Sequence, residues 1–367
     1  MAKFLALFIL IQSQISFAGR IAFLGDSIST GGAAHPYLAL EPERFRKVFL
    51  GEVPIEPDRS YRKMISDLGY SYSDTQAPIR LRRSYREFQH PAFWFFDNLW
   101  TSFGAEFLDA EEYAWSYLLG RRLGYQSNEI LIAARDGEKM SHGVRQVDRI
   151  LDYTEGVLPE KLFIFFTGND LCGPTIEHVT SSDDFESELR DLLRYLKVNG
   201  IPAPGGTTVY VMNPVGIIQI ATSSKILSHR VPYQGKELSC KEIQTLDPAK
   251  VAQENSSSQL AQADFLDLVI NSIANSPAGY CMTLFAIHKG DTQMQIALSN
   301  RIQDYRKSIT KLVKEFSDMA GTDILFKQLT STNDILFEGD EMANDCFHLA
   351  LKGHHRIADS IFNELKK

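Results

Sequence analysis

Cysteine is scarce, with four residues in a chain of 367. That excludes a disulfide-dense scaffold. Cys172, Cys240, Cys281 and Cys346 are also too far apart for a Cys-x-x-Cys redox or zinc element. Positive charge is in short supply: 38 Lys and Arg face 46 Asp and Glu, for a formal net charge of -8. A general nucleic-acid binder draws its affinity from a basic face, so no nucleic-acid partner is expected. No apolar run reaches the roughly 20 residues that a membrane-spanning helix needs. Internal repeats and low-complexity tracts are missing too, which excludes solenoid and disordered architectures. What remains is an ordinary globular mixture, 44% hydrophobic and 23% charged, long enough to bury a core without staples.

The first residues set an expectation about compartment. Lys3 precedes an apolar run from Phe4 to Ile11, and Ser16-Phe17-Ala18 supplies small residues where a signal peptidase reads. Residues 1–18 are therefore expected to be a signal peptide cut after Ala18, leaving an exported chain, periplasmic or extracellular, of residues 19–367. No cysteine lies near the cut, so no lipid anchor is expected. Export to an oxidising compartment permits two disulfides among the four cysteines, in three connectivities.

Buried strands are expected at 19–24, 129–134, 161–166, 207–212 and 323–329, from short apolar runs closed by turn residues. Helices are expected at 112–123, through Val144, Val147 and Ile150, and at 185–198, 260–273, 296–319 and 349–365. Alternation of strand and helix predicts an α/β fold: a three-layer α/β/α sandwich around a five-stranded parallel sheet. Residues 31–111 and 215–295 fit no such unit. Because sheet elements resume after each, they read as insertions into a single domain.

An open parallel sheet places its site beyond the carboxyl ends of its strands, and polar clusters stand there. Gly25-Asp26-Ser27 follows the first strand, where a serine acts as nucleophile only if a base takes its proton. Gly137 follows the second strand and offers a backbone N–H. Gly168-Asn169-Asp170 follows the third, and an asparagine amide can meet a developing oxyanion while Asp170 braces the loop. Asp345 and His348, three apart, would share one face of a helical turn, the carboxylate orienting the imidazole. His354 and His355 are rival bases without an acid at that spacing. Each string alone is common in loops and caps.

In this order the four blocks, beginning at Gly25, Gly137, Gly168 and Asp345, resemble the SGNH (GDSL) hydrolase family over nearly the whole mature chain. The resemblance implies a flavodoxin-like fold and no organic cofactor. It also implies Ser27 as nucleophile, His348 as base and Asp345 as its partner. The oxyanion hole it implies comprises the Ser27 and Gly137 N–H groups and the Asn169 side chain. One departure bears on Gly137: the family often carries Asn five residues earlier, where this chain has Ile132, which leaves Gly143 as the fallback. Gly168-Asn169-Asp170-Leu171-Cys172 and Asp345-Cys346-Phe347-His348, followed by Gly353-His354, look like the phospholipase B-type lipases, and the first string is shared with acyloxyacyl hydrolases. If the implied site is right, its loops converge. Cys172 and Cys346 are then expected to pair, leaving Cys240 with Cys281.

The expected activity is hydrolysis of acyl esters in lipids by an exported serine esterase, with no metal and with transient contact at a membrane surface. Two alternatives stand beside it: an O-acetylesterase of carbohydrate or peptidoglycan, and a non-catalytic lipid- or glycan-binding protein on the same fold. The first insertion begins beside the nucleophile. Its aromatic run, including Phe93, Trp94, Phe96 and Trp100, would line an acyl groove or form the insertion's own core. Arg80, Arg82, Arg83 and Arg86, interleaved with Tyr85 and Phe88, would grip a phosphate or remain a solvated charge run.

Overall fold

The computed structural model describes residues 20–32, 78–81, 113–166, 168–233, 236–246, 281–319 and 323–367. The expected signal peptide, the helix expected at 260–273 and most of the first insertion lie outside these residues.

The strands are β1 (Ile21–Gly25), β2 (Ile79–Arg80), β3 (Ile130–Ile132), β4 (Lys161–Phe165), β5 (Thr207–Met212), β6 (Arg230–Tyr233), β7 (Lys236–Ser239) and β8 (Ile324–Leu329). The helices used below are α1 (Ser27–Thr30), α2 (Trp115–Arg122), α3 (Gly143–Tyr153), α4 (Ser182–Asn199), α5 (Cys240–Thr245), α6 (Met282–His288), α7 (Thr292–Ser317) and α8 (Leu351–Leu365). Six strands form one sheet in the order β2-β3-β1-β4-β5-β8, and each pairing is parallel. The expected α/β class holds, with one strand more than the five expected. The sixth is β2, a two-residue strand from inside the first insertion that pairs with Leu131 and Ile132. So short a strand, lying among arginines, has no alternation to reveal it.

Parallel strands need crossovers, and the helices supply them. α2 packs with α8, while α4 packs with α3 and α7. The sheet is apolar because both its faces are covered: every residue of β1 is buried, as are Leu162 to Phe165 of β4. Phe23, Phe163 and Tyr210 stack across β1, β4 and β5, with centroids 5.1 and 4.8 Å apart. Trp115 of α2 meets Phe23 and Phe165 edge-on at 5.3 and 5.4 Å. Each such ring pair adds about 0.5–1.5 kcal/mol beyond its buried area.

Two helices begin earlier than their apolar stripes suggest, because polar caps start them. Ser181 accepts from the Asp184 N–H at 3.0 Å and opens α4, and Asp291 accepts from the Met294 N–H at 2.9 Å and opens α7.

The expected disulfides are not the observed ones. Cys172 bonds Cys281 and Cys240 bonds Cys346, with Cα separations of 4.6 and 5.2 Å. The site loops do converge, but each is tied to the second insertion rather than to the other. Thr283 of α6 donates its hydroxyl to the Leu171 carbonyl (2.9 Å), and Gln244 of α5 donates to the Cys346 carbonyl (3.1 Å). The insertion thus packs on both loops and brings one cysteine to each.

Candidate active site

Gly25 ends β1 where the chain passes so close to β4 that a Cβ would stand 2.3 Å from the Phe165 carbonyl oxygen. Only glycine fits there, and the turn it permits puts Ser27 at the head of α1. Asp26 caps this helix, accepting from the Ile28 N–H at 3.0 Å. Its other oxygen accepts from the Gly168 N–H at 3.0 Å, tying the Ser27 turn to the Asn169 loop. Gly32 closes over the serine: a side chain there would begin 3.0 Å from Ser27 Cβ. Ser27 itself is only 7% exposed.

Asp345 and His348 arrive from the other end of the chain. They do not lie on a helical turn as expected. A bridge between Met342 and Leu349 closes a tight loop, and Cys346 takes a positive φ of 55°. Asp345 Oδ1 accepts from the N–H groups of Phe347 (3.0 Å) and His348 (2.9 Å). This leaves Oδ2 for His348 Nδ1, at 2.5 Å, and His348 Nε2 stands 3.0 Å from Ser27 Oγ. With Nδ1 protonated toward Asp345, Nε2 accepts the serine hydroxyl.

Electrostatics reinforce the relay. Burial pushes the Asp345 carboxyl up, but the adjacent His348 and the loop N–H groups overcome it and hold the pKa below its ordinary value. Burial pulls the His348 imidazole down, yet Asp345, Asp136 and Asp26 together hold its pKa above the usual 6.5. The rival histidines are occupied elsewhere. His354 is fully buried, accepts from the Trp115 N–H at 3.3 Å and is driven by burial to a pKa of about 3. His355 lies against Arg122 and Asp359, with burial and Arg122 lowering it to about 4.

The Ser27 turn and the two loops tied to it offer three candidate donors. The Ser27 N–H and Gly137 N–H have no hydrogen-bond partner among the described residues. Gly137 sits at φ 75° in an exposed loop, a backbone state glycine takes without strain. The Asn169 Nδ2 donates one hydrogen to the Glu138 carbonyl at 3.0 Å, which fixes the amide plane and leaves the second hydrogen. Gly143, the fallback for Gly137, is buried in α3, where a Cβ would meet Leu192 at 2.7 Å. Asp136 accepts from Thr30 Oγ1 at 2.5 Å and clasps α1 to the Gly137 loop. Asp170 is buried behind Asn169, accepting from the Met140 N–H (3.0 Å) and the Thr180 hydroxyl (2.9 Å). Burial, with smaller contributions from Asp26 and Glu188, pushes its pKa to about 7.

The structure therefore brings Ser27, His348, Asp345, Gly137 and Asn169 to one sheet edge. Arg83, Trp94 and Phe96, expected to bind substrate, lie outside the described residues. Arg80 belongs to β2, two strands away from β1. Gln146, Glu138 and Arg149, which buttress the loops, were missed from sequence. Their signal was a glutamine and an arginine among the buried positions Gly143, Val147 and Ile150 of α3. Among the described residues, no group of three or more His, Cys, Asp or Glu side chains is arranged to hold a metal.

Comparison with known proteins agrees on the family. The model of a family described as GDSL-like Lipase/Acylhydrolase matches residues 21–361. Among solved structures, the psychrotrophic esterase EstA from Pseudoalteromonas sp., in a structure inhibited by monoethylphosphonate, is similar at 13% identity and a TM-score of 0.35. That match covers 72% of this chain and 91% of EstA. No curated protein matches this chain by sequence.

Proposed function

The chain belongs to the GDSL-like lipase/acylhydrolase family, a family of ester hydrolases, and from that premise we propose an exported serine esterase that cleaves acyl esters of lipids. The observation that carries the mechanism is the unbroken relay from Asp345 through His348 to Ser27, at 2.5 and 3.0 Å. His348 Nε2 takes the serine proton as Oγ attacks the ester carbonyl. Negative charge then develops on the carbonyl oxygen, where the N–H groups of Ser27 and Gly137 and the second Asn169 hydrogen meet it. Collapse expels the alcohol, which receives the proton from His348. Water, activated by the same imidazole, releases the acyl group from Ser27. Asp345 stabilises the imidazolium in both halves.

Because the base must be neutral, activity rises with pH through a His348 pKa above the usual 6.5. The lipid reading draws on the Gly168-to-Cys172 string and on the aromatic density of residues 93–107. Export draws on the N-terminal pattern and on two disulfides that need an oxidising compartment.

The test pairs a variant with a substrate panel. Ser27→Ala is expected to lower ester hydrolysis by about 10⁴-fold or more while the fold is kept. The intact protein is assayed on p-nitrophenyl esters from acetyl to long chains and on phospholipid. Faster turnover of long chains supports the lipid reading, since remote binding energy is used in the transition state. A preference for acetyl replaces it with the O-acetylesterase reading. Retained activity in Ser27→Ala removes the mechanism altogether.

A further inference from the structure

Gln146 on α3 is fully buried and lies outside the relay, yet it touches both sides of the oxyanion region. Its Oε1 accepts from the Gly25 N–H at 2.8 Å, and its Nε2 donates to the Gly25 carbonyl at 2.8 Å. The second Nε2 hydrogen goes to Glu138 Oε2 at 2.6 Å. Gly25 is two residues before Ser27. Glu138 directly follows Gly137, and its carbonyl holds the Asn169 amide at 3.0 Å. Arg149, one turn along α3, completes the buttress. It pairs with Glu138 Oε1 at 3.0 Å and donates to the Ala133 carbonyl at 3.1 Å.

The chemistry suits glutamine. The Gly25 backbone presents a donor and an acceptor side by side, and an amide answers both as another peptide would. A carboxylate could not donate, and a hydrocarbon would leave buried polar groups unpaired. The Gly137 loop needs such support, because a Cβ placed on Gly137 would find nothing within 4 Å. Packing therefore does not hold the tip of this loop; Glu138 holds it from behind. An oxyanion hole works only if its donors are fixed before charge develops.

Resting on the esterase reading above, we infer that Gln146 is a positioning residue. By gripping Gly25 and Glu138 together, it fixes the Ser27 N–H relative to the Gly137 and Asn169 donors. The role is separate from catalysis itself, since Gln146 lies behind the donors rather than among them.

A double-mutant cycle on the full chain, assayed with p-nitrophenyl butyrate, tests this. Gln146→Met keeps the volume and removes the three hydrogen bonds. It is expected to lower kcat by roughly 10-fold to 10²-fold with KM held within about twofold. In an Asn169→Ala background the same change is expected to cost no more than about threefold, because one donor it positions is gone. A purely structural role gives losses that multiply in full, and that result overturns the inference.

Gln146→Glu covers the case in which the methionine variant does not fold. Its carboxyl would face Glu138 and share a proton with it. The ratio of its kcat to that of the unmodified protein should then rise as pH falls, whereas a flat ratio overturns the inference. If Ser27→Ala or Asn169→Ala leaves kcat unchanged, the esterase reading fails and takes the inference with it. If both lose activity while Gln146→Met multiplies in full, the inference alone fails.

Discussion

The turn that carries Asp345 and His348 is anchored covalently, whereas the loops that carry Ser27, Gly137 and Asn169 are anchored mainly to one another by buried hydrogen bonds. Cys346 lies between the acid and the base, bonded to Cys240 of the second insertion. It is a non-glycine residue at φ 55°, a state that costs on the order of 1–3 kcal/mol and persists only where its surroundings enforce it. The other disulfide sits differently. Cys172 lies beyond the Asn169–Leu171 turn, and that loop is already held by Asp26, Asp170 and Glu138. The Asp345 turn closes on its own hydrogen bonds, from Phe347 and His348 to Asp345 and from Ala343 to His348, and takes an external covalent clamp as well. The loops of the proposed donors are held instead by several independent contacts.

Removing the acid should have the largest effect. Asp345→Asn keeps the shape of the turn and accepts fewer hydrogen bonds from it. It also favours the wrong tautomer of His348, because an amide can donate where the carboxylate only accepts. Turnover is expected to fall on the order of 10⁴-fold with KM little changed. The pH profile should shift as well. Without the charge of Asp345, the imidazole loses the strongest influence holding its pKa up, and the acid limb of any residual activity moves to lower pH. A loss below about tenfold would mean that the turn positions the histidine without its acid, and the contrast between the two regions would have to be redrawn.

The two disulfides give the next test, smaller and more discriminating. They span 109 and 106 residues, so a chain-entropy model assigns them nearly equal stabilisation, about 4–5 kcal/mol each. Cys172→Ala/Cys281→Ala and Cys240→Ala/Cys346→Ala should therefore lower Tm by similar amounts. Turnover, measured well below either Tm, should separate them. Freeing Cys346 relaxes the residue between acid and base, so kcat is expected to drop several-fold more in that variant. Equal losses of kcat would show that both loops depend alike on the insertion, and would break the comparison.

What could be read in advance follows the same division. β5 was legible to the residue, because Thr207 to Met212 is a run that few other structures accommodate. Ser27, Asn169, Asp345 and His348 were legible because each stands at a strand end or in a short spaced motif. The pairing of the cysteines was not. It depends on how α5 and α6 pack against loops more than 100 residues away, and no local pattern encodes that. The turn at Asp345 misled for a related reason. A spacing of three suits a helix, but the Met342–Leu349 bridge and the disulfide impose a loop. β2 is too short to carry a period, and a lone glutamine among the buried positions of α3 does not reveal what it touches. Local chemistry marked the candidate groups, while long-range packing chose their supports.

Asp170 supplies the smallest effect and the one that probes the hydrogen-bonded region by itself. Its folded pKa of about 7 lies well above that of an unfolded aspartate, because burial opposes ionisation more than Met140 and Thr180 favour it. The folded state therefore binds this proton more tightly than the unfolded state. Stability from this group is fully present below about pH 4, declines as pH rises toward 7, and is flat above that. The steepest slope is about 1.4 kcal/mol per pH unit, and partial relaxation of the site would reduce it. Asp170→Asn removes the titration while its amide can still accept from Met140 and donate to the Thr180 oxygen. The Tm of this variant relative to the unmodified protein should thus climb between pH 5 and pH 7 and then level off. A Tm difference that stays constant over that range would place the Asp170 carboxylate in its charged state throughout. The Asn169 loop would then be held by an ionic contact rather than by neutral hydrogen bonds.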